Sequence, residues 1–538
     1  MTPQAISVSR PEAGAGDGAR GGFGAVLRAE WTKFRSVRGW VIGMILAALL
    51  MIFLGVFAAA NGFISCGIPG APQQSGKACL PYVAHGPDGE VVTDSFSFLR
   101  QPLTGNGTVT ARVTALTGEA QAESGNTVPG RLDAWAKAGI IIKQSTRQGS
   151  AYAAMMVTGS NGVRMQYNYA GDVAGLPGSV SAAHPRWLRL TRSGDTITGY
   201  DSANGTHWTK VGTVQLSRLP SIVQVGMFVT SPDFTVTQNS FGGGTSDNGP
   251  TQAAGVFDHV SLTGASPGTW TGTTIGGEGP AGLRPPGGPG PAPFTRAGGT
   301  FTVTGSGDIA PVTPGPSQGL PTATIGQSLV GAFVGLIAIV AVAAMFFSTE
   351  YRRGLIRTTL AATPRRGAVL AAKAVVIGAV AFVAGLVAAV VSIAVGVPKE
   401  ENQGQVLLTV PGLTEVRVIA GTAAMLALCA VLAVALGAIL RRSAAAITIA
   451  VLIVVMPFLL SALHVFSSGV GDWLLRLTPA AGLAVEQSIP RYPQVSTITS
   501  PAAGGYYPLS PYTGLAVLCL WTAAALALAL VMLRRRDA

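Results

Sequence analysis

Six apolar runs set the first constraint on this chain. They lie at about 40–60, 327–347, 368–397, 416–440, 443–466 and 512–533. A helix of about 20 apolar residues crosses the roughly 30 Å hydrocarbon core of a bilayer. In lipid the backbone must satisfy its own polar groups, so such runs read as spanning helices. Charge content agrees. Only 11% of the 538 residues are charged, against about 25% in soluble domains, and mean hydropathy is +0.44. The net charge of +12 raises nucleic acid as a partner. The basic residues gather beside the apolar runs, however, where membrane topology accounts for them, and no nucleic-acid partner is expected. The run at 40–60 is too long for a signal-peptide core and follows a long polar segment, so it reads as a retained span.

Orientation follows from the flanks. Arg28, Lys33, Arg35 and Arg38 precede the first run, and a basic stretch lies between the second and third. Arg441 and Arg442 separate the fourth from the fifth, and Arg534, Arg535 and Arg536 follow the sixth. Alternation puts all four groups on one side, the cytoplasm, with both termini. The expected layout is a cytoplasmic tail and interfacial helix over 1–39, an outer insert over 61–326, and a cytoplasmic hairpin over 348–367. An outer loop with re-entrant helices follows over 467–511, and a short cytoplasmic tail over 534–538.

No Asp, Glu, Lys or Arg falls at mid-depth in any of the six runs; Lys373 lies near the inner end of the third and His464 near the outer end of the fifth. Ion-coupled transporters commonly carry such groups as relays, so a proton- or sodium-driven mechanism is disfavoured. Gly331 and Gly335 form a GxxxG pair, and Gly367, Gly378, Gly385 and Gly396 fall within one narrow arc of the third run. Small residues let helix backbones approach closely in lipid. Ordinary packing is the plainer reading, with a dimer seam or substrate path as the other.

Ahead of the first run stands GGFGAVLRAEWTKFRSVRGW. As a helix it places Phe23, Val26, Leu27, Trp31, Phe34 and Val37 on one arc and Arg28 and Arg35 opposite, the pattern of a helix lying at the membrane surface. Glu30 interrupts the apolar arc. It has Lys33 three residues on for a partner, or it meets another protein.

The insert of about 265 residues carries Cys66 and Cys79, the two cysteines of this region. On an oxidising side of the membrane a disulfide is expected between them. Its body, about 83–264, alternates strand-like runs with Gly- and Asn-containing turns, such as Ser193-Gly194-Asp195 and Asn204-Gly205, at the spacing of an all-β sandwich. Residues 265–298 are Gly/Pro-rich and read as a linker or long loop. The segment GTFTVTGSGDIAPV after it reads as a strand that adds to the sandwich edge.

The stretches DSFSFLRQPLTGNGTVTARV, AKAGIIIKQS, WLRLTRSGDTITGYDSANGTHWTKVG and FDHVSLTG resemble concanavalin-like, laminin-G-like sandwich domains. That resemblance implies a fold that often binds glycans and is sometimes hydrolytic. The hydrolase pattern Glu-x-Asp-x-x-Glu is absent, and glycosidases need two carboxylates held across one bond, so hydrolysis is not expected. Trp135, Trp187 and Trp208 are candidates for a sugar-stacking surface, or fill the core and rim.

Between the second and third runs stands STEYRRGLIRTTLAATPRRGAVLAAK. A helix continues from the second run, Pro364 ends or bends it, and RRGAVLAAK begins the third. The positive-inside rule accounts for the charge but not for Glu350, Gly354, Pro364 and Lys373 in this arrangement. Together with AEWTKFRSVRGW before the first run and LTPAAGLAVEQ before the sixth, this stretch resembles the permeases of type-2 ATP-binding-cassette exporters. The resemblance implies that the hairpin transmits movement from a separate ATPase. Glu350, Arg352, Arg353, Gly354, Arg357, Pro364 and Arg365 then form the docking surface, with Glu30, Trp31 and Lys33 of the interfacial helix close by. It also implies a second permease subunit, identical or not, and ATP with Mg held by the ATPase rather than by this chain. The phosphate-cradling pattern G-x-x-x-x-G-K-[ST] is absent here. The expected architecture is mixed: a six-helix transmembrane bundle with an extracytoplasmic all-β sandwich inserted between spans one and two. The rival reading is a non-transporting protein whose sandwich binds a surface glycan or envelope polymer and whose spans are an anchor.

Overall fold

The protein is described here from a computed structural model. It describes residues 22–535 except 62–64, 67–73, 76–82, 122–126, 130, 241–242, 265–267, 277–292, 315–320, 353–364, 464, 467 and 496–503. Residue 79 lies outside the described residues, and the Cys66 side chain is not described either, so the expected disulfide is not addressed.

The helices follow the hydropathy. A helix α1, Phe23–Ser36, breaks at Val37, whose backbone turns extended, and α2 runs Arg38–Asn61. After the insert come α3 (Ala332–Arg352), α4 (Arg366–Asn402), α5 (Gly412–Leu440), α6 (Ser443–Val454), α7 (Met456–Ala462), α8 (Ser468–Leu477) and α9 (Pro511–Arg535). Six of these segments are long and apolar enough to span a membrane, α6 and α7 together making the fifth. The expected single run at 443–466 is thus two short helices, with Pro457 in the first turn of the second, where its missing N–H costs no hydrogen bond. The chain's alternation gives the bundle a basic end, with Arg38, Arg366, Arg441 and Arg535, and an opposite end to which the insert is attached.

Small residues set how closely the helices approach. A Cβ on Gly331 would lie 2.0 Å from the Met51 carbonyl oxygen, and one on Gly335 3.1 Å from the Met51 side chain, so α2 crosses the start of α3 at backbone contact. Gly385 would meet Leu426 at 2.8 Å and Gly378 would meet Val431 at 3.1 Å, so α4 packs on α5 along the same stripe. These glycines are used inside one chain.

The insert folds as a sandwich. One sheet of seven strands runs in the order Gly171–Ala174, Val163–Tyr167, Tyr152–Thr158, Lys137–Lys143, Ile222–Thr230, Phe96–Thr104, Thr271–Ile275. The facing sheet of eight is built on Thr209–Gln215, Thr196–Ser202, Arg186–Ser193, Gly107–Gln121, Thr251–Thr263, Thr300–Gly305 and Phe294–Ala297, with Thr127–Pro129 beside Gly107–Gln121. The strand pairs within these sheets are antiparallel. Alternate residues such as Val109, Ala111 and Val113 face the shared core, as a half-buried strand requires. Lys137–Lys143 and Tyr152–Thr158 are instead buried on both faces, because a small third sheet of Ala84–His85, Val91–Asp94 and Ile309–Pro311 caps the outer face over Phe96, Phe98 and Phe228. That double burial explains the unbroken apolar runs AGIII and YAAMMV.

Two expectations change here. The linker expected over 265–298 contributes two strands, Thr271–Ile275 and Phe294–Ala297, so the sandwich does not end near 264. The Gly/Pro composition of the stretch hid two short threonine- and phenylalanine-bearing segments that sheet edges order. The strand at Thr300–Gly305 is not at the edge; it lies between Thr251–Thr263 and Phe294–Ala297.

The sandwich is seated on the bundle. Val91 and Val312 pack with Val406, Leu408, Ile489 and Tyr506 from the loops of the helical part. The Gln494 amide donates to the carbonyls of Tyr169 and Ala170 at 3.2 and 3.0 Å. Thr322–Ala323, leaving the sandwich, pairs with Val406–Leu407 after α4.

Candidate functional site

At the basic end three helices converge on four charged side chains. Lys373, in the second turn of α4, is fully buried, and its ammonium donates to Glu30 Oε2 and to Glu350 Oε1, both at 2.7 Å. Lys33 closes the ring by donating to Glu30 Oε1 at 2.9 Å and Glu350 Oε1 at 3.4 Å. Two carboxylates therefore face two ammonium groups, and the formal charge sums to zero. Desolvation works against the Lys33 charge, but its two acids outweigh it and hold the ammonium above its ordinary value. The Phe346 ring lies 4.7 Å from the Lys373 nitrogen and is met edge-on by Phe34 and Trp40. An aromatic face on an ammonium is favourable where water is excluded.

The helical period explains the convergence. Glu30, Lys33 and Phe34 share one face of α1 at spacings of three and four. Glu30 and Phe34 are buried against the bundle, whereas Phe23, Trp31 and Val37 are about half exposed. The apolar arc of α1 is thus divided between protein and surroundings. Glu30 is no interruption of a membrane-facing stripe; it is the residue by which α1 holds α3 and α4. Sequence reasoning supplied Lys33 as its partner and missed Lys373, because sequence separation gives no sign that residues 343 positions apart meet. The available signal was an acid on the apolar arc of one helix and a lone lysine inside an apolar run of another.

This ring sits at the root of the stretch 353–364, where α3 ends and α4 begins. Of the expected docking residues, Glu350 is in the ring. Arg365 is exposed immediately before α4, and its carbonyl accepts the first helical hydrogen bond from Ala368 at 2.9 Å. Arg353, Gly354, Arg357 and Pro364 lie outside the described residues, as does the Arg352 side chain. Neighbouring contacts bind the root to the rest of the basic end. The Arg441 guanidinium stacks 4.9 Å from the Tyr351 ring, and Arg366 donates to the Leu533 carbonyl at the end of α9.

A family model described as ABC-2 family transporter protein matches residues 25–538. The chain belongs to that family. It is a membrane-embedded permease subunit of an ABC transporter, a class that works with an ABC ATPase. No curated protein matches the whole ABC-2 chain or part of it. Among solved structures, a functionally unknown protein from Saccharomyces cerevisiae is 16% identical, over 35% of this chain and 83% of that one, with a TM-score of 0.21. Scytalido-glutamic peptidase, bound to a peptide-based transition-state analog, is 13% identical over 41% of this chain and 100% of its own, with a TM-score of 0.21. At those scores neither likeness says anything of what the ABC-2 subunit does.

The three tryptophans that are candidates for a sugar-stacking surface are each covered by a cation. Arg164 lies over Trp135, which is buried, and Arg112 and His259 flank Trp187. Arg189 stacks on Trp208 at 3.7 Å, while the Trp208 indole donates to the Gly205 carbonyl. Gly205 has a positive φ of 76°, and a Cβ there would strike the Trp187 ring at 2.7 Å, so the turn packs on that tryptophan. Trp187 belongs to the eight-stranded sheet, Trp208 immediately precedes a strand of that sheet, and Trp135 precedes a strand of the other.

Proposed function

We propose that this subunit works in an ATP-driven exporter of a bacterial plasma membrane, with the basic end in the cytoplasm and the sandwich outside. The arginine-rich flanks support that orientation. Two permease subunits, identical or not, act with two copies of a separate ATPase that holds ATP and Mg. The observation that carries the reading is the ring of Glu30, Lys33, Glu350 and Lys373, closed on the buried Lys373. It joins the interfacial helix to both ends of the basic stretch, so a push on that stretch moves α1, α3 and α4 as one lever. Arg352, Arg353, Gly354, Arg357, Pro364 and Arg365 form the surface that the ATPase grips, and the ring passes the movement to the spans. A loosely held hairpin would dissipate it.

The test is capture of the ATPase. Tagged protein, extracted in mild detergent, is expected to co-purify an ATPase whose hydrolysis it stimulates. The triple variant Glu350→Ala, Arg353→Ala, Arg357→Ala is expected to lose that capture. Wild-type protein without an ATPase, or equal capture by the variant, overturns the reading.

A further inference from the structure

At the end of the bundle opposite the charged ring, a chamber of about 400 Å³ opens between the ends of α2 and α4, the start of α3 and the loops before α9. Glu400, Glu486, Phe333, Phe458, Tyr506 and Tyr507 are among the residues that line it. Its volume lies in the range of small-molecule sites, about 300–1,000 Å³.

Two carboxyl groups here are buried without a full set of partners. Glu400 is 3% exposed; Ser328 donates to its Oε1 at 3.0 Å, and its Oε2 has no partner among the described residues. Glu486 is 8% exposed, and its Oε1 has none. The Tyr506 hydroxyl is likewise buried without a partner. No Lys, Arg or His is among the described residues lining the chamber. The nearby Arg417 guanidinium is committed to the carbonyls of Val485 and Gln487 at 3.3 and 2.6 Å. An uncompensated buried carboxylate is costly, and each orphaned oxygen adds to the cost.

Four aromatic side chains, Phe333, Phe458, Tyr506 and Tyr507, share the wall with small, polar and aliphatic residues. Phe333 and Phe458 have ring centroids 4.6 Å apart, and Tyr507 stacks on Phe458 at 6.4 Å. Described acidic and histidine or cysteine side chains nowhere gather in the threes that would hold a metal ion. Aromatic faces with isolated carboxylates are the environment of an organic ammonium, which gains from both ring quadrupoles and counter-charge. A hard metal ion instead asks for six or more oxygen ligands.

We propose that this chamber binds an organic cation with an apolar body, for which Glu400 and Glu486 supply the counter-charge. Burial pushes the Glu486 carboxyl up to about 8, so a cation that enters near neutral pH displaces a proton from it. The site goes beyond the ATP-coupled reading. Its binding is measured without an ATPase, so the two fail separately.

The experiment uses purified full-length protein and titrates phenyltrimethylammonium and its neutral isostere tert-butylbenzene by calorimetry. Saturable binding of the cation at least tenfold tighter than that of the isostere is expected. Glu400→Gln and Glu486→Gln should each weaken it about tenfold or more, and the double variant should abolish the preference for charge. Equal affinity for the two probes, or an unchanged preference in a double variant that melts normally, overturns the proposal. So does the absence of saturable binding, or displacement of the cation by millimolar calcium in place of other ammonium ions. Should the double variant not fold, the two probes on wild-type protein decide the matter.

Discussion

The two ends of the helical bundle each hold two carboxyl groups largely shielded from water, one pair against lysines and the other with no described cation lining its chamber. At the basic end, Glu30 and Glu350 meet Lys33 and Lys373 in a closed ring. At the sandwich end, Glu400 and Glu486 line one chamber, and no described lysine, arginine or histidine lines it with them. A buried ion pair is seldom a strong net source of stability, but removing one partner is severe because the survivor stays buried and charged. The paired acids therefore fix how three helices meet. The unpaired ones store an unmet demand for positive charge, which suits a place where something arrives and leaves.

The sharpest break in this comparison is Lys373→Met. It leaves Glu30 and Glu350 with the half-exposed Lys33 alone, and should cost about 3–5 kcal/mol, read as loss of thermal stability in detergent. Adding Glu30→Gln and Glu350→Gln should return much of it; equal melting of the single and triple variants would mean that the ring is not held by charge.

Glu486→Gln should act in the other direction and depend on pH. With a folded-state pKa raised to about 8, Glu486 favours folding below its ordinary value of about 4.5 and progressively loses that advantage as pH rises through 8. The glutamine variant should match wild type near pH 4 and exceed it near pH 9 by a few kcal/mol. Melting curves taken across that range check the sign. A constant difference would show that the carboxyl is already solvated.

Gly331→Ala tests the packing between the two ends. Its new Cβ would press on the Met51 carbonyl, where no flexible side chain can yield, and overpacking of this kind costs about 1–3 kcal/mol. Gly378→Ala, which meets only a Val431 methyl at 3.1 Å, should cost less. The smallest effect belongs to Lys33→Ala. Its side chain is 39% exposed, and Lys373 remains on both acids, so the loss should stay below about 1 kcal/mol. A loss as large as that of Lys373→Met would mean that α1 is held by Lys33.

The same contrast separates what could be read in advance from what could not. Span number, the β-rich insert and the basic flanks are properties of local sequence: hydropathy over about 20 residues, alternation and turn residues, and charge beside apolar runs. Glu350 and Glu30 stood out because each is an acid in a basic or apolar context. Glu400 did not. The expected third run stopped at 397, whereas α4 continues through Pro398 to Asn402 and takes Glu400 into the bundle. There Ser328 donates to Glu400 Oε1, a tertiary contact that local hydropathy does not carry.

What the chain determined by itself is therefore its solvent: residues that cannot be hydrated must be surrounded by lipid or by each other, and periodicity says which elements do so. That Lys373 answers both Glu30 and Glu350 was left to the tertiary structure. So was the choice of acids left unanswered. Charge pairing depends on atoms brought within 3 Å by helices hundreds of residues apart, and no local pattern carries that distance.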